Sequence, residues 1–180
     1  MNIFVLDRDP YIAASYMNDK HVVKMILESC QILSTALRHH GFEDPLLYKS
    51  THIHHPCVKW VIESRSNYLW LLEHLNALHN EYKLRYMKVH RSYRLLIEIL
   101  SEVPLSYPDI GLTEFVLAMP EKYKVKDPVE SYRNYYFGDK ARFSTWTTPS
   151  TVPKWFTMKL NAMLQSNCCL LEKEELAFST

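Results

Sequence analysis

Apolar residues recur every three or four positions through much of the chain. Val22, Val23, Ile26, Leu27, Cys30, Leu33, Ala36 and Leu37 form one such stripe, and the spacing predicts an amphipathic helix. Asn18 or Asp19 supplies its N-cap and Gly41 its C-terminal stop, so it runs to about His40. A second helix opens at Pro56, a residue suited to a first turn. Val58, Val61, Ile62, Leu69, Leu72, Leu75 and Leu78 give it a buried side, and nothing in the pattern interrupts it before the high eighties. A third piece, Ser92 to Glu102, ends at Val103-Pro104. Residues 103–128 hold Pro104, Pro108, Gly111, Pro120 and Pro128, a long irregular excursion of the kind that is functional or disordered. A short helix over 128–138, an aromatic loop through Trp155 and Phe156, and a last helix over 157–176 complete the chain. Residues 3–6 read as a short strand or extended segment, broken at Asp9-Pro10. The expected fold is mostly α: a single-domain helical bundle with a short N-terminal extended segment and the Pro-rich excursion. Residues 1–156 form its catalytic or nucleic-acid-binding domain, and 157–180 a peripheral C-terminal helix.

Composition narrows the function. Gly41, Gly111 and Gly138 are the only glycines among 180 residues, against a usual ~7%. Neither GxxxxGK[ST] nor GxGxxG can be written with them, so Gly-rich phosphate loops are excluded. A formal charge of +1 makes any nucleic-acid surface a local patch. No stretch approaches the ~20 apolar residues of a membrane span, and acidic residues follow four apolar ones at the N-terminus, unlike a secretory signal. Cys30, Cys57, Cys168 and Cys169 form no CxxC pair. The expectation is a reduced, intracellular protein, in the host cytoplasm if phage-encoded.

Four features carry candidate chemistry. His21, Lys24, Glu28, Gln31, Thr35 and Arg38 share a sector of about 100° on the first helix. They form either a solvated polar face or a site in which a carboxylate sits between cations and moves a proton. His52, His54 and His55 crowd the start of the second helix; adjacent His side chains diverge, so a phosphate contact or cap is favoured over a metal. Residues 82–94 carry Lys83, Arg85, Lys88, Arg91 and Arg94, with His90, and no acid; with Arg65, Asn67 and nearby tyrosines they suit a phosphate backbone or a solvated turn. Ser131 to Lys140 sets Tyr132, Tyr135 and Tyr136 beside Arg133 and Lys140, either stacking faces for extruded bases or a packing helix.

The segments MNIFVLDRDP, DKHVVKMILES, THIHHPCVKW, NYLWL, EYKLRYMKVHRS, AMPEKYK and SYRNYYFGDKARFSTW resemble a family of small phage-encoded proteins. More remotely the pattern is similar to the pyrimidine-dimer DNA glycosylases, the phage ultraviolet-repair endonucleases. In that family a histidine precedes the catalytic glutamate by seven residues, as His21 precedes Glu28. His55, Glu81 and Arg85 match a later histidine, glutamate and arginine, and YRNYYFGDK at 132–140 resembles the family's aromatic-basic ending. The resemblance implies an all-α enzyme in which an amine attacks the sugar C1′, a Schiff base forms, and a carboxylate assists base loss and strand cleavage. It implies an α-amine exposed by methionine removal. Here Asn2 is large enough for Met1 to be kept, and Leu27 stands where an arginine is expected. The Met1 amine, Lys20 or Lys24 must then supply the nucleophile.

The leading expectation is a DNA glycosylase/AP-lyase-like enzyme on damaged or modified duplex DNA, without cofactor or metal. Glu28, His21, Lys24 and His55 are its candidate catalytic residues. Arg65, Asn67, Arg85, Lys88, His90, Tyr132, Arg133, Tyr136 and Lys140 are its candidate DNA contacts. The alternatives are a nucleotide- or base-modifying transferase or His-metal nuclease, and a non-catalytic binder of nucleic acid or a host protein. Nothing fixes the oligomeric state.

Overall fold

Short polar residues set where the helices begin. In the computed structural model, which describes residues 1–147 and 151–177 with side chains of the last helix through Ser166, Asp9 accepts from the Tyr11 and Ile12 amides. It thereby caps α1 (Pro10–Ser15). Asp9-Pro10 ends the N-terminal segment and also starts a helix, because Pro at the first helical position costs no hydrogen bond. Asn18 caps α2 (Asp19–His39) through the His21 amide, and Gly41 follows at φ +80°, close to the predicted limits. α3 (Pro56–Glu63), α4 (Arg65–Tyr86), α5 (Arg91–Ser101), α6 (Pro128–Tyr135) and α7 (Lys154–Ala177) follow. No strand occurs among the described residues; residues 3–6 are buried but irregular, with Phe4 at φ +54°.

The predicted second helix is two. Ser64 is extended (φ −147°, ψ 140°), and its hydroxyl donates to Asp109 and the Gly111 carbonyl. Asp109 in turn accepts from the Ser66 amide and hydroxyl. The break is made by the excursion, 45 residues downstream of Ser64, and leaves no local mark.

α2 is the central element, packing on α3, α4 and α5, while α1 packs on α4. Val22, Ile26, Cys30, Leu33 and Leu37 meet Tyr68, Leu71, Leu75 and Leu78 in the core. The free thiols of Cys30 and Cys57 are buried, and burial pushes them up to about 12 and about 11. Cys168 and Cys169 lie outside the residues whose side chains are described. The excursion contributes to the core: Tyr107 is buried and donates to the Val61 carbonyl. Lys159 of α7 donates to Glu130 and Asn134 of α6.

The core also contains a misfit. His74 on α4 is fully buried, stacked on Trp70 at 5.2 Å, with neither ring nitrogen partnered among the described residues. Burial lowers its pKa to about 3. The folded ring therefore stays neutral while the unfolded one takes up a proton below about pH 6.5, so stability falls as pH drops through that window. His74→Phe keeps the stack and removes the unpaired nitrogens. It is expected to raise stability at pH 7 by about 1–3 kcal/mol. The advantage over wild type should widen by about 2 kcal/mol between pH 7 and pH 5, as read from urea midpoints. An equal advantage at both pH values contradicts this.

Candidate active site

The chain start is held by its second residue. The Asn2 side-chain oxygen accepts from the amides of Ile3 (2.7 Å) and Phe4 (3.1 Å), and its Nδ2 donates to the Ala118 carbonyl at 2.7 Å. Phe4 takes a left-handed backbone, φ +54°, which costs a residue other than glycine roughly 1–2 kcal/mol. Its ring stacks on His21 (centroids 4.5 Å apart) and on Tyr135 (5.9 Å).

Glu28 lies where this segment meets α2. Its Oε2 accepts from the Asn2 amide at 3.1 Å and sits 3.9 Å from the Met1 amine. Its Oε1 pairs with Lys24 Nζ at 3.1 Å. The Glu28 side chain is 12% exposed and that of Lys24 66%, so the carboxylate is largely covered while the lysine reaches solvent. These groups open onto a cleft of about 240 Å³, closed by Ala118, Tyr135 and Lys140. Lys140 Nζ stands 4.5 Å from the Tyr135 ring centroid.

His21 is fixed from behind. Its Nδ1 is 3.0 Å from Tyr136 Oη, which already accepts from the Asn18 amide at 2.8 Å. The phenol proton then points at Nδ1, which assigns the ring proton to Nε2. Burial, then the charges of Lys140 and Lys24, lower the His21 pKa to about 4. At neutral pH the ring is an uncharged Nε2–H donor at the wall of the cleft.

The sequence model of the family described as pyrimidine dimer DNA glycosylase matches residues 1–95. The chain belongs to the pyrimidine dimer DNA glycosylase family. No curated protein and no solved structure matches the chain. Family membership makes this a DNA-repair enzyme of the glycosylase type, with DNA as its substrate. The matched part supplies Met1, Asn2, Phe4, His21, Lys24 and Glu28 to the cleft; Ala118, Tyr135 and Lys140 lie beyond it. No helix among the described residues is long and apolar enough to cross a membrane.

The other residues singled out from the sequence fall elsewhere. His55 caps α3 by accepting from the Cys57 amide at 3.2 Å. Its pKa is lowered by burial first, then by the N-terminal amine and His52, with Glu28 opposing. It therefore feels the charges of the N-terminal amine and Glu28 without lining the cleft. His52, His54 and His55 form no ligand set, and no group of three or more His, Cys, Asp or Glu among the described residues is placed to hold a metal.

Several expected DNA contacts are structural. Asn67 is fully buried, donating to the Trp60 carbonyl and Thr113 and accepting from the Thr113 amide. The Arg85 side chain has no exposure and pairs with Asp19 and Glu81. Tyr132 and Tyr136 are fully buried; Tyr132 donates to the Val116 carbonyl. These four have no surface to offer a duplex, because other parts of the chain already satisfy them. Arg133 binds the Leu6 carbonyl and Asp7 and stands over the Tyr16 and Trp155 rings. Arg65 starts α4, Lys88 is exposed and His90 half-buried in the α4–α5 turn, and none lines the cleft.

On α2, too, the polar stripe divides. Thr35 accepts from the Thr51 amide, and Arg38 pairs with Glu43 and donates to the carbonyls of Asp44, Leu47 and Tyr48. Its C-terminal half anchors a loop; only the half from His21 to Glu28 faces the cleft.

Asn2, Phe4 and Ala118 also line the cleft, and the sequence pattern marks none of them as a site residue. An Asn followed by two amides it can accept from is a known local turn signal, whereas the approach of Ala118 is tertiary.

Proposed function

We propose that the protein removes a pyrimidine base at a dimer in duplex DNA and then cuts the strand, with the Met1 α-amine as nucleophile and Glu28 as proton carrier. The observation that carries this reading is the 3.9 Å separation of that amine from the Glu28 carboxylate inside one cleft. Lys24 is less suited: its ammonium is mostly in solvent and held by the other carboxylate oxygen. Lys20 is exposed, with Nζ 5.0 Å from the Phe143 ring centroid.

The Met1 ammonium first passes a proton to Glu28. The neutral amine attacks C1′ as the C1′–N glycosidic bond breaks, and the departing base takes one of the two protons left on that nitrogen. The C1′–O4′ bond then opens, O4′ takes a proton from Glu28, and the nitrogen lone pair forms the iminium. Glu28, now a carboxylate, removes a C2′ proton, and the C3′–O bond breaks with the phosphate as leaving group. Water hydrolyses the imine and frees the amine. His21 donates its Nε2–H to a sugar or phosphate oxygen. Lys24 and Lys140 attract the backbone, and Tyr135 offers a ring face. At about 240 Å³ the cleft falls below the roughly 300–1,000 Å³ of drug-sized sites. It takes the sugar and its phosphate, and the damaged bases stay outside.

Incubation with ultraviolet-irradiated supercoiled plasmid and with a duplex carrying one abasic site tests the reading. Nicking of the irradiated plasmid above an unirradiated control, with cleavage of the abasic strand, is expected. Both substrates left whole by protein that binds the duplex would falsify it.

A further inference from the structure

The Asn2 side chain does more than end a chain. Its oxygen accepts from two successive amides and its nitrogen donates to the Ala118 carbonyl, while its own backbone N–H donates to Glu28 Oε2. The paired amides fold the chain back through the left-handed Phe4, and this fold sets the Phe4 ring on His21. One residue thus fixes the carboxylate, the wall of the cleft and the excursion together. The Met1 amine lies one residue upstream, beside the same carboxylate oxygen, and the Met1 side chain is only 3% exposed. With the thioether buried on one side and Asn2 clamped on the other, the amine has little freedom left.

We infer that Asn2 is a positioning residue, a clamp that holds the Met1 amine at Glu28 and ties both to residue 118. The inference rests on the reading of that amine as nucleophile. An Asx turn of purely structural use satisfies the same amides, but it does not require the Ala118 bond or the bond to Glu28. Because Ala118 lies outside the family-matched residues, the clamp makes the excursion part of this chain's reaction geometry. A small displacement of a reacting group lowers turnover while leaving binding intact.

Asn2→Leu removes all three side-chain hydrogen bonds at similar size. Asn2→Asp keeps an acceptor for the Ile3 and Phe4 amides and loses the donor to Ala118. Cleavage of an abasic duplex is followed for both, with intact mass confirming Met1 and thermal unfolding monitored. For Asn2→Leu a fall in kcat of about 10–100-fold is expected, with KM within about threefold of wild type. Asn2→Asp should fall between Asn2→Leu and wild type. Wild-type kcat in both variants overturns the clamp, as does a loss confined to KM or a loss equal in both that tracks their thermal midpoints. A wild-type protein that cuts no abasic strand overturns the function reading instead. If Asn2→Leu does not fold, the kcat and KM of Asn2→Asp decide.

Discussion

Replacing Glu28 with glutamine is expected to lower strand cleavage by about 10²–10⁴-fold, the range lost with a positioned general acid–base. Glutamine keeps the shape and an oxygen to accept the Asn2 amide, so the N-terminal segment stays in place. The ion pairs with Lys24 and with the Met1 amine are lost, but the Lys24 ammonium is mostly solvated, and a pair with one partner in solvent contributes only about 0–1 kcal/mol. The expected pattern is therefore near-wild-type unfolding with collapsed turnover. Single-turnover cleavage of an abasic duplex, beside a urea titration, reads both. A Glu28→Gln protein that cuts at the wild-type rate removes Glu28 from the chemistry.

Arg85→Met is expected to have the opposite pattern. The Arg85 guanidinium donates to Asp19 (3.1 Å), Glu81 (2.8 Å) and the Met17 carbonyl (2.8 Å). The carboxylate side chains are only 13% and 16% exposed. Removing the cation takes the shared counter-charge from two covered carboxylates, which costs about 3–5 kcal/mol. At roughly 2–4 °C per kcal/mol for a chain of this size, the thermal midpoint should fall by about 6–20 °C. Asp19 also accepts from Thr145 and Thr147, so the damage reaches the segment after α6. Duplex affinity of the folded variant, measured well below its midpoint, should match wild type. Unchanged stability with lost affinity would return Arg85 to the DNA surface.

Arg85 also shows what a sequence withholds. Its run of cations without acids reads as a phosphate-binding stretch, yet its partner Asp19 lies 66 positions away. The same holds for the Ser64 break, imposed by Asp109 from the excursion. Local rules carry further where the cause is local. Asn18 and Gly41 bracket α2 because a cap and a left-handed stop act within a turn. The 3–4 periodicity places His21, Lys24 and Glu28 on one side of that helix, and these three line one cleft. Periodicity does not say where a stripe stops facing a site, so Thr35 and Arg38 read alike with Glu28 while fastening a loop. Within 132–140, spacing by four puts Tyr132 and Tyr136 on one side of the turn, facing inward, and leaves Tyr135 to the cleft. A Cβ at Gly138 would meet the outer atoms of the Tyr123 ring at 2.5 Å, a contact only the fold defines, so that ring would have to shift.

Borohydride reduction during reaction with an abasic duplex, followed by peptide mapping of the protein–DNA adduct, tests the central claim most directly. The account predicts a single cross-link at the Met1 α-amine, absent when that amine is acetylated beforehand. A cross-link at Lys24 or another lysine contradicts it, as does strand cleavage by a protein whose N-terminus is blocked.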